Sequence, residues 1–193
     1  MRTSKAQSQS TRAEIVEVAA SRIRERGFAG TTVADLMSDV GLTHGGFYNH
    51  FASKDSLVVE AVEQAFRQHA GERAKAGAIA EVLRWYLSAA HVAAPGGGCP
   101  AAALGSEVAR QSDQVKAAFG AGIEDMIRDF CDALGEAPRG VASRRSLAID
   151  VLAKAVGAIV LSRAAYATDR LSREILSTCL AGALRDLDAS RAK

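Results

Sequence analysis

GLTHGGFYNHF, residues 41–51, followed by ASKDSL, residues 52–57, is the stretch that decides the fold of this chain. Gly41 suits the backbone conformation that ends a helix, and Thr43 and Ser53 suit the residue that caps the start of one. The spacing predicts a sharp turn, a short aromatic-rich helix after Thr43, and a longer helix after Ser53. That order is typical of a helix-turn-helix.

Two further helices are predicted upstream of this stretch. Residues 11–26 have apolar side chains at helical spacing, and Gly27 supplies the stop. Residues 33–40 form the second helix, with Thr31 and Thr32 as candidates for its cap. Three helices within about forty residues, the last two joined by a glycine-containing turn, make a compact DNA-binding unit.

Composition indicates an all-α protein. The chain has 193 residues, of which 48% are hydrophobic and only three are proline. Almost no alternation of apolar and polar residues suggests a strand. The net charge of +2 is too small to argue for nucleic-acid binding by itself, and it speaks against a non-specific, structural DNA-binding protein. Arg2, Lys5 and Arg12 are expected to form a basic arm, with residues 1–10 disordered.

The three cysteines have unrelated spacings, which predict neither a disulfide framework nor a zinc site. No metal or cofactor motif is recognised. No secretory signal is visible, and the most apolar segment, residues 155–162, is too short to span a bilayer. We expect a cytoplasmic protein with no membrane partner.

The C-terminal part reads as further helices. Residues 95–98, Pro-Gly-Gly-Gly, form the clearest break, and residues 135–140 form a second loop. Two strongly apolar helices follow, over about 143–167 and 171–188. With the N-terminal helices this makes about nine in all.

Residues 41–57 resemble the helix-turn-helix signature of TetR-type (TetR/AcrR) repressors: a glycine, three residues, Gly-Gly-Phe-Tyr-Asn-His-Phe, then Ala-Ser-Lys-Asp-Ser-Leu. Gly27-Phe28 and Thr31-Thr32-Val33 lie where that family has similar elements. The resemblance covers about residues 11–66. It implies that the short helix is a recognition helix, the name used for it from here on, which enters the DNA major groove.

The resemblance also implies a domain plan and a function. Residues 11–56 would be the DNA-binding domain, 57–75 a connecting helix, and 76–193 a domain for effector binding and dimerisation. The helices at 143–167 and 171–188 would pair with their mates in a homodimer, although their apolar character also suits an ordinary core. The implied function is a transcriptional repressor that a small molecule releases from a palindromic operator.

The candidate DNA contacts follow from matching the family's motif position by position. Phosphate groups are expected to be bound by backbone N–H groups at helix N-termini, by hydroxyls and by Lys54. Base edges are expected to be contacted by His44 and Asn49. Phe47 and Phe51 are expected to be core anchors, and His50 stays open between a phosphate contact and internal hydrogen bonding. The full set is Thr31, Thr32, Thr43, His44, Gly45, Tyr48, Asn49, His50 and Lys54.

Candidates to line an effector cavity are the aromatic, sulfur and imidazole side chains of the C-terminal part. They are Trp85, Tyr86, His91, Cys99, Phe119, Met126, Phe130 and Tyr166, and each also suits an ordinary core position. Cys99 is the most distinctive, because it precedes Pro100 at a predicted helix start, where a thiolate is stabilised. Residues 98–107 resemble a branch of the family, which implies sensing of electrophiles or oxidants through this cysteine. The alternative is a small buried side chain.

An enzyme is the rival class. Cys99 with His91 would be its nucleophile pair, but the sequence offers no third, orienting residue at a recognisable spacing and no phosphate-binding loop. We therefore expect no enzymatic activity.

Overall fold

The computed structural model describes residues 5–134, 144–165 and 168–191. Across those ranges the chain forms α-helices and two short 3-10 helices, with no strand, which confirms the all-α expectation. The recognition helix is the 3-10 helix His44–Asn49, and Pro95–Gly97 is the other. The α-helices are α1 Lys5–Arg26, α2 Val33–Asp39, α3 Lys54–Lys75, α4 Ile79–Tyr86, α5 Ala89–Ala93, α6 Pro100–Val108, α7 Asp113–Leu134, α8 Arg144–Ala164 and α9 Asp169–Arg191.

The first helix begins earlier than expected. Helix α1 starts at Lys5 and not at residue 11, so the expectation of disorder is wrong for residues 5–10. The segment is polar, but it contains no glycine or proline and is compatible with a helix. Residues 1–4 lie outside the described ranges.

The turn between α2 and the recognition helix has the predicted geometry. Gly41 adopts a positive φ of 70°, and the N–H of Leu42 donates to the carbonyl of Met37 at 2.8 Å. At the other end of α2, the Thr32 hydroxyl accepts a hydrogen bond from the N–H of Asp35 at 3.1 Å. Both ends of α2 are therefore set by the residues that the sequence singled out.

Apolar residues at helical spacing predict a single helix over residues 79–94, but the structure has two. Helix α4 ends at Tyr86, and Ser88 starts α5 by accepting the N–H of His91 at 3.2 Å. A serine that caps a new helix competes with continuation of the old one, which is why the apolar periodicity alone missed the break.

The chain divides into two compact units. The first comprises Met1–His69 with Pro95–Gly120, and the second comprises Ala70–Ala94 with Ala121–Lys193, in their described parts. Residues 95–120 thus pack with the N-terminal segment. The functional division into residues 11–56, 57–75 and 76–193 stays a proposal.

Each unit has its own apolar core. In the first, α1, α2 and α3 bury Ile15, Met37 and Leu57 around the recognition helix. In the second, α4, α7, α8 and α9 meet in a cluster formed by Ile79, Leu83, Ile127, Phe130, Leu147, Ala148, Val151, Ala183 and Leu187. The two long apolar helices expected at the C-terminal end are thereby observed as α8 and α9. The loop expected at 135–140 lies outside the described residues.

The Gly41 turn generates a matched stability test. A Cβ added at Gly41 or at Gly71, inside α3, would meet no atom within 4 Å, so steric crowding is the same at both. Only Gly41 has a positive φ. Gly41→Ala should cost about 1–2 kcal/mol of unfolding free energy, whereas Gly71→Ala should gain about 0.5–1 kcal/mol. Urea unfolding monitored by circular dichroism measures both, and equal effects of the two changes would contradict this account of the turn.

Candidate nucleic-acid interface

The recognition helix presents a row of polar and small residues to solvent. Tyr48 is 66% exposed, and Thr43, His44, Gly45 and Asn49 are exposed as well. Thr43 precedes the helix, but its side chain makes no capping hydrogen bond, so the expected side-chain cap is wrong. The contact that closes this end is from the N–H of Gly46 to the carbonyl of Thr43, at 2.9 Å. The hydroxyl of Thr43 is left without a role in capping the helix.

Two phenylalanines anchor the helix from beneath. Phe47 and Phe51 are both buried, and their rings stack with centroids 5.5 Å apart. The Tyr48 ring meets the Phe47 ring edge-on at 5.2 Å. Both phenylalanines are therefore core residues, as expected. The exposed face is held against the unit by the aromatic pair beneath it.

The threonines before α2 have different roles. Thr31 is only 2% exposed, and its hydroxyl donates to the carbonyl of Gly27 at 2.9 Å. The expectation of a phosphate contact by Thr31 is therefore wrong, because the hydroxyl is buried in the turn after α1. Thr32 is exposed at the start of α2, where its hydroxyl accepts the N–H of Asp35 and donates to the Asp35 carboxylate at 2.7 Å.

Lys54 and His50 are both partly buried at the ends of adjoining helices. The Lys54 ammonium donates to the carbonyl of Phe28 at 3.1 Å. One of its hydrogens is thereby engaged within the unit, which leaves two for an outside acceptor. His50 is the C-terminal cap residue of the recognition helix, and its ring Nδ1 is buried with no hydrogen-bond partner.

Arg12 contacts the end of the recognition helix, which sequence reasoning missed. Its Nε–H donates to the carbonyl of His50 at 3.3 Å, and its two outer nitrogens pair with the carboxylate of Glu60. Its guanidinium carbon lies 4.6 Å from the centroid of the Phe51 ring. The sequence does contain a signal for this contact. Arg12 lies one helical turn before Val16, which is on the buried side of α1. A charged side chain on that side requires partners inside the fold.

Buried Arg24 ties α1 to the segment around Cys99. Its outer nitrogens donate to the carbonyl of Gly98, at 3.0 Å, and to Gln68. Its Nε–H donates to the carbonyl of Ala20 at 2.8 Å. Burial lowers the pKa of Arg24 to about 10, an effect that the neighbouring Cys99 partly opposes. This pKa still leaves the guanidinium charged at neutral pH.

Glu107 of α6 makes a second tie to the end of α1. Its carboxylate accepts the N–H of Phe28 at 3.1 Å. A Cβ at Gly27, where φ is +74°, would lie 2.5 Å from a Glu107 oxygen. The positive φ therefore favours glycine at residue 27, and a side chain there would also displace the Glu107 carboxylate.

Three effector-cavity candidates lie together in the second unit. The rings of Trp85 and His91 stack with centroids 5.8 Å apart, and the Tyr86 ring meets His91 edge-on at 4.6 Å. His91 Nδ1 lies 2.7 Å from the carbonyl of Tyr86, which fixes that nitrogen as the donor. Burial lowers the pKa of His91, which favours the neutral ring.

Arg163 of α8 supports this aromatic cluster and was not singled out by the sequence. It donates to the carbonyls of His91, at 3.0 Å, and Val92, at 3.2 Å. Both carbonyls belong to the short helix α5. By donating hydrogen bonds to them, Arg163 stabilises that helix. Arg163 also contributes to lowering the pKa of His91.

The remaining candidates are dispersed. Phe130 belongs to the core cluster of the second unit, and Met126 is partly buried on the same helix. In the first unit, Phe119 packs edge-on against Phe66 at 5.2 Å, and Cys99 is 0% exposed. Tyr166 lies outside the described residues.

Two kinds of feature are absent from the described part of the chain. No group of three or more histidine, cysteine, aspartate or glutamate side chains is arranged to hold a metal ion there. In the same residues, every helix is too short or too polar to cross a membrane.

Residues 15–61 match the model of the family described as bacterial regulatory proteins, tetR family. The chain is also 45% identical over 51 residues to the HTH-type transcriptional repressor KstR2 of Mycobacterium tuberculosis, strain CDC 1551 / Oshkosh. That alignment covers 26% of each protein, so this chain matches about a quarter of the relative's length. The segment that matches the family model contains the recognition helix.

Two longer comparisons extend over the rest of the chain. The HTH-type transcriptional repressor DhaR of Mycobacterium sp. strain GP1 is 26% identical over 147 residues, which is 74% of each chain. The crystal structure of a TetR transcriptional regulator from Chloroflexus aurantiacus J-10-FL superposes with a TM-score of 0.75. It shares 25% identity and covers 92% of this chain and 94% of that one.

Proposed function

Through residues 15–61 this chain belongs to the TetR family of bacterial regulatory proteins, and we propose that it is a DNA-binding transcriptional regulator that acts as a repressor. One observation carries the proposal: the matched segment contains a short helix whose polar side is exposed and whose aromatic side is buried. A short exposed helix fixed on a compact unit is what major-groove recognition requires.

The exposed residues divide by chemistry. His44 and Asn49 have side chains that can hydrogen-bond base edges, and we assign them that role. Gly45 lets the backbone approach the groove closely. Tyr48 and Thr43 offer hydroxyls to phosphate, which would fix the register of the helix on the duplex.

Phosphate contacts at the edge of this face are assigned to Thr32 and Lys54. Thr32 adjoins N–H groups that no helical carbonyl satisfies. Lys54 keeps two ammonium hydrogens available beside its bond to Phe28. Two alternatives stay open for His50: a contact with phosphate, or a hydrogen bond within the unit. Its ring Nδ1, which has no hydrogen-bond partner, is compatible with either.

The recognition helix contains no lysine or arginine, so each copy offers few strong contacts. We therefore propose a homodimer that reads two half-sites about one DNA turn, roughly 34 Å, apart. The exposed apolar residues of α8 support it, because Val160 is 44% and Leu161 58% exposed, and Ile149 is exposed as well. Leu171 of α9 adds to this set. Such residues on the two C-terminal helices suit a partner helix pair better than solvent.

We propose that a small molecule acting on the regulatory domain releases the operator. The cluster of Trp85, Tyr86 and His91 supplies an apolar, aromatic surface of the kind that lines ligand sites. Differential binding of the ligand to a conformer with mis-spaced recognition helices, worth about 1–3 kcal/mol, would weaken operator binding roughly 5–150-fold.

A thiol-based repressor acting through Cys99 is the second candidate. One observation favours it: the buried Arg24 guanidinium donates to the carbonyl of Gly98, the residue before Cys99, and a neighbouring cation stabilises a thiolate. Modification of this sulfur would add bulk beside the Gly98 carbonyl that Arg24 holds. Complete burial of Cys99 suits a structural role equally well.

Operator binding is tested on DNA from upstream of the protein's own gene. Wild type should protect a palindromic site in a footprint, with two chains per site and a strong dependence on salt. Asn49→Ala should lower operator affinity about tenfold or more, because a lost base contact costs about 1–3 kcal/mol at each half-site. Gln114→Ala, an exposed amide on α7, is the control and should bind normally. If the wild-type protein binds this DNA no more tightly than bulk DNA, the proposal is wrong.

The dimer is tested by a charge placed on α8. Val160→Glu should leave the helix content unchanged, because the side chain is half-exposed in the single chain, but should give a monomer with weak operator affinity. Ile123→Glu, another exposed apolar side chain, on α7, is the matched control and should stay dimeric. Analytical ultracentrifugation decides, and a dimeric Val160→Glu protein would remove α8 from the proposed interface.

The thiol candidate is tested with N-ethylmaleimide, whose double bond takes up the cysteine sulfur and proton to form a thioether. If Cys99 is the sensor, wild type and Cys179→Ser should lose operator binding after treatment, while Cys99→Ser should keep it. Mass spectrometry of peptides confirms which sulfur is modified. Equal loss from Cys99→Ser and wild type would make Cys99 a structural residue.

A further inference from the structure

We propose that Arg12 is a positioning residue for operator recognition: it holds the C-terminal end of the recognition helix in place and does not itself bind phosphate. This inference rests on the proposed function. It concerns one side chain of α1 that contacts three residues of the same compact unit, His50, Phe51 and Glu60.

The first contact is with the backbone at the end of the recognition helix. The Arg12 Nε–H donates to the carbonyl of His50 at 3.3 Å. His50 is the cap residue, and its own N–H donates to the carbonyl of Phe47 at 2.9 Å. Carbonyls at a helix C-terminus lack partners within the helix, so a guanidinium there both satisfies one and complements the helix dipole.

The second contact is with the aromatic anchor. The Arg12 guanidinium carbon lies 4.6 Å from the centroid of the Phe51 ring, which is within cation–π distance. Phe51 in turn stacks on Phe47. The planar guanidinium therefore covers the side of the aromatic pair that fixes the recognition helix to the core.

The third contact fixes Arg12 itself. Its two outer nitrogens meet the two carboxylate oxygens of Glu60 on α3. A bidentate pair of this kind sets the plane of the guanidinium as well as its position. It also places a negative charge where a phosphate would otherwise bind, so Arg12 is poorly suited to be a DNA ligand. Arg12 differs in this from Lys54, whose ammonium has no carboxylate partner among the described residues.

The recognition helix needs such a support. It is six residues long, it contains two glycines, and no side chain caps its first residue. A segment this short is not stable by itself, so its orientation comes from tertiary contacts. Because base contacts depend on hydrogen-bond distances, a small rotation of the helix would weaken operator binding and leave general attraction to DNA unchanged.

Salt dependence separates positioning from phosphate binding. Operator and unrelated DNA of equal length are titrated with the wild-type protein, Arg12→Gln and Arg67→Gln at several salt concentrations. Arg67 pairs with Glu63 on the exposed side of α3 and is the matched control. Arg12→Gln should lower operator affinity about tenfold, keep the affinity for unrelated DNA, and keep the slope of log K against log salt. Arg67→Gln should change none of these.

Two results would overturn the inference. If Arg12→Gln weakens both DNAs alike and reduces the salt slope by about 0.9 for each protomer, Arg12 is a phosphate ligand. If Arg12→Gln lowers the melting temperature but leaves both affinities unchanged, the residue is only structural. All titrations are made at a temperature at which circular dichroism shows every variant folded.

Glu60→Gln should change DNA affinity in opposite directions for the two possible roles of Arg12, positioning and phosphate binding. If Glu60 holds Arg12 in position, its loss should weaken operator binding, as Arg12→Gln does. If Glu60 only masks a phosphate-binding arginine, its loss should strengthen binding to both DNAs, and that result would overturn the inference. If the wild-type protein itself shows no preference for the operator, the proposed function fails. That result is separate from the inference about Arg12 and does not depend on the variants.

Discussion

The recognition helix depends on contacts from outside itself. Its two glycines disfavour helix, and its first residue has no side-chain cap. The stacked rings of Phe47 and Phe51 therefore fix it from the buried side, while Arg12 ties its last carbonyl to α1 and α3. The rest of the first unit serves as the rigid support that this short segment lacks. A support of that kind lets the exposed face consist of small and polar residues without losing its orientation.

The same unit gives a structural role to residues 98–107, the run that resembles a branch of the family. Within Gly98–Glu107, the Gly98 carbonyl accepts from Arg24, Cys99 and Leu104 are fully buried, and the Glu107 carboxylate meets the N–H of Phe28. The run therefore packs α6 and its approach against the end of α1. Its features are explained by close packing, whatever additional chemistry Cys99 has. A change in this segment has a direct physical route to the helix that supports the recognition helix.

Three arginines of α1 have partners inside the unit. Arg12 pairs with Glu60, Arg22 with Asp39, and Arg24 with backbone carbonyls and Gln68. The number of basic residues in this part of the chain therefore overstates the charge available to DNA. Because the recognition helix has no lysine or arginine of its own, the proposed function relies on two copies acting together.

Local sequence rules determined the all-helical class, the Gly41 turn, the Thr32 cap and the burial of Phe47 and Phe51, because each depends on neighbouring residues and helical period. Tertiary structure alone decided the roles of Thr31, Arg12 and Glu107. Thr31 resembles a helix cap, but its hydroxyl is buried against the Gly27 carbonyl. The partners of Arg12 lie 38 and 48 residues away, and that of Glu107 lies 79 away. A hydrogen bond between distant residues leaves no local pattern, so only the folded chain could show which charges support the recognition helix.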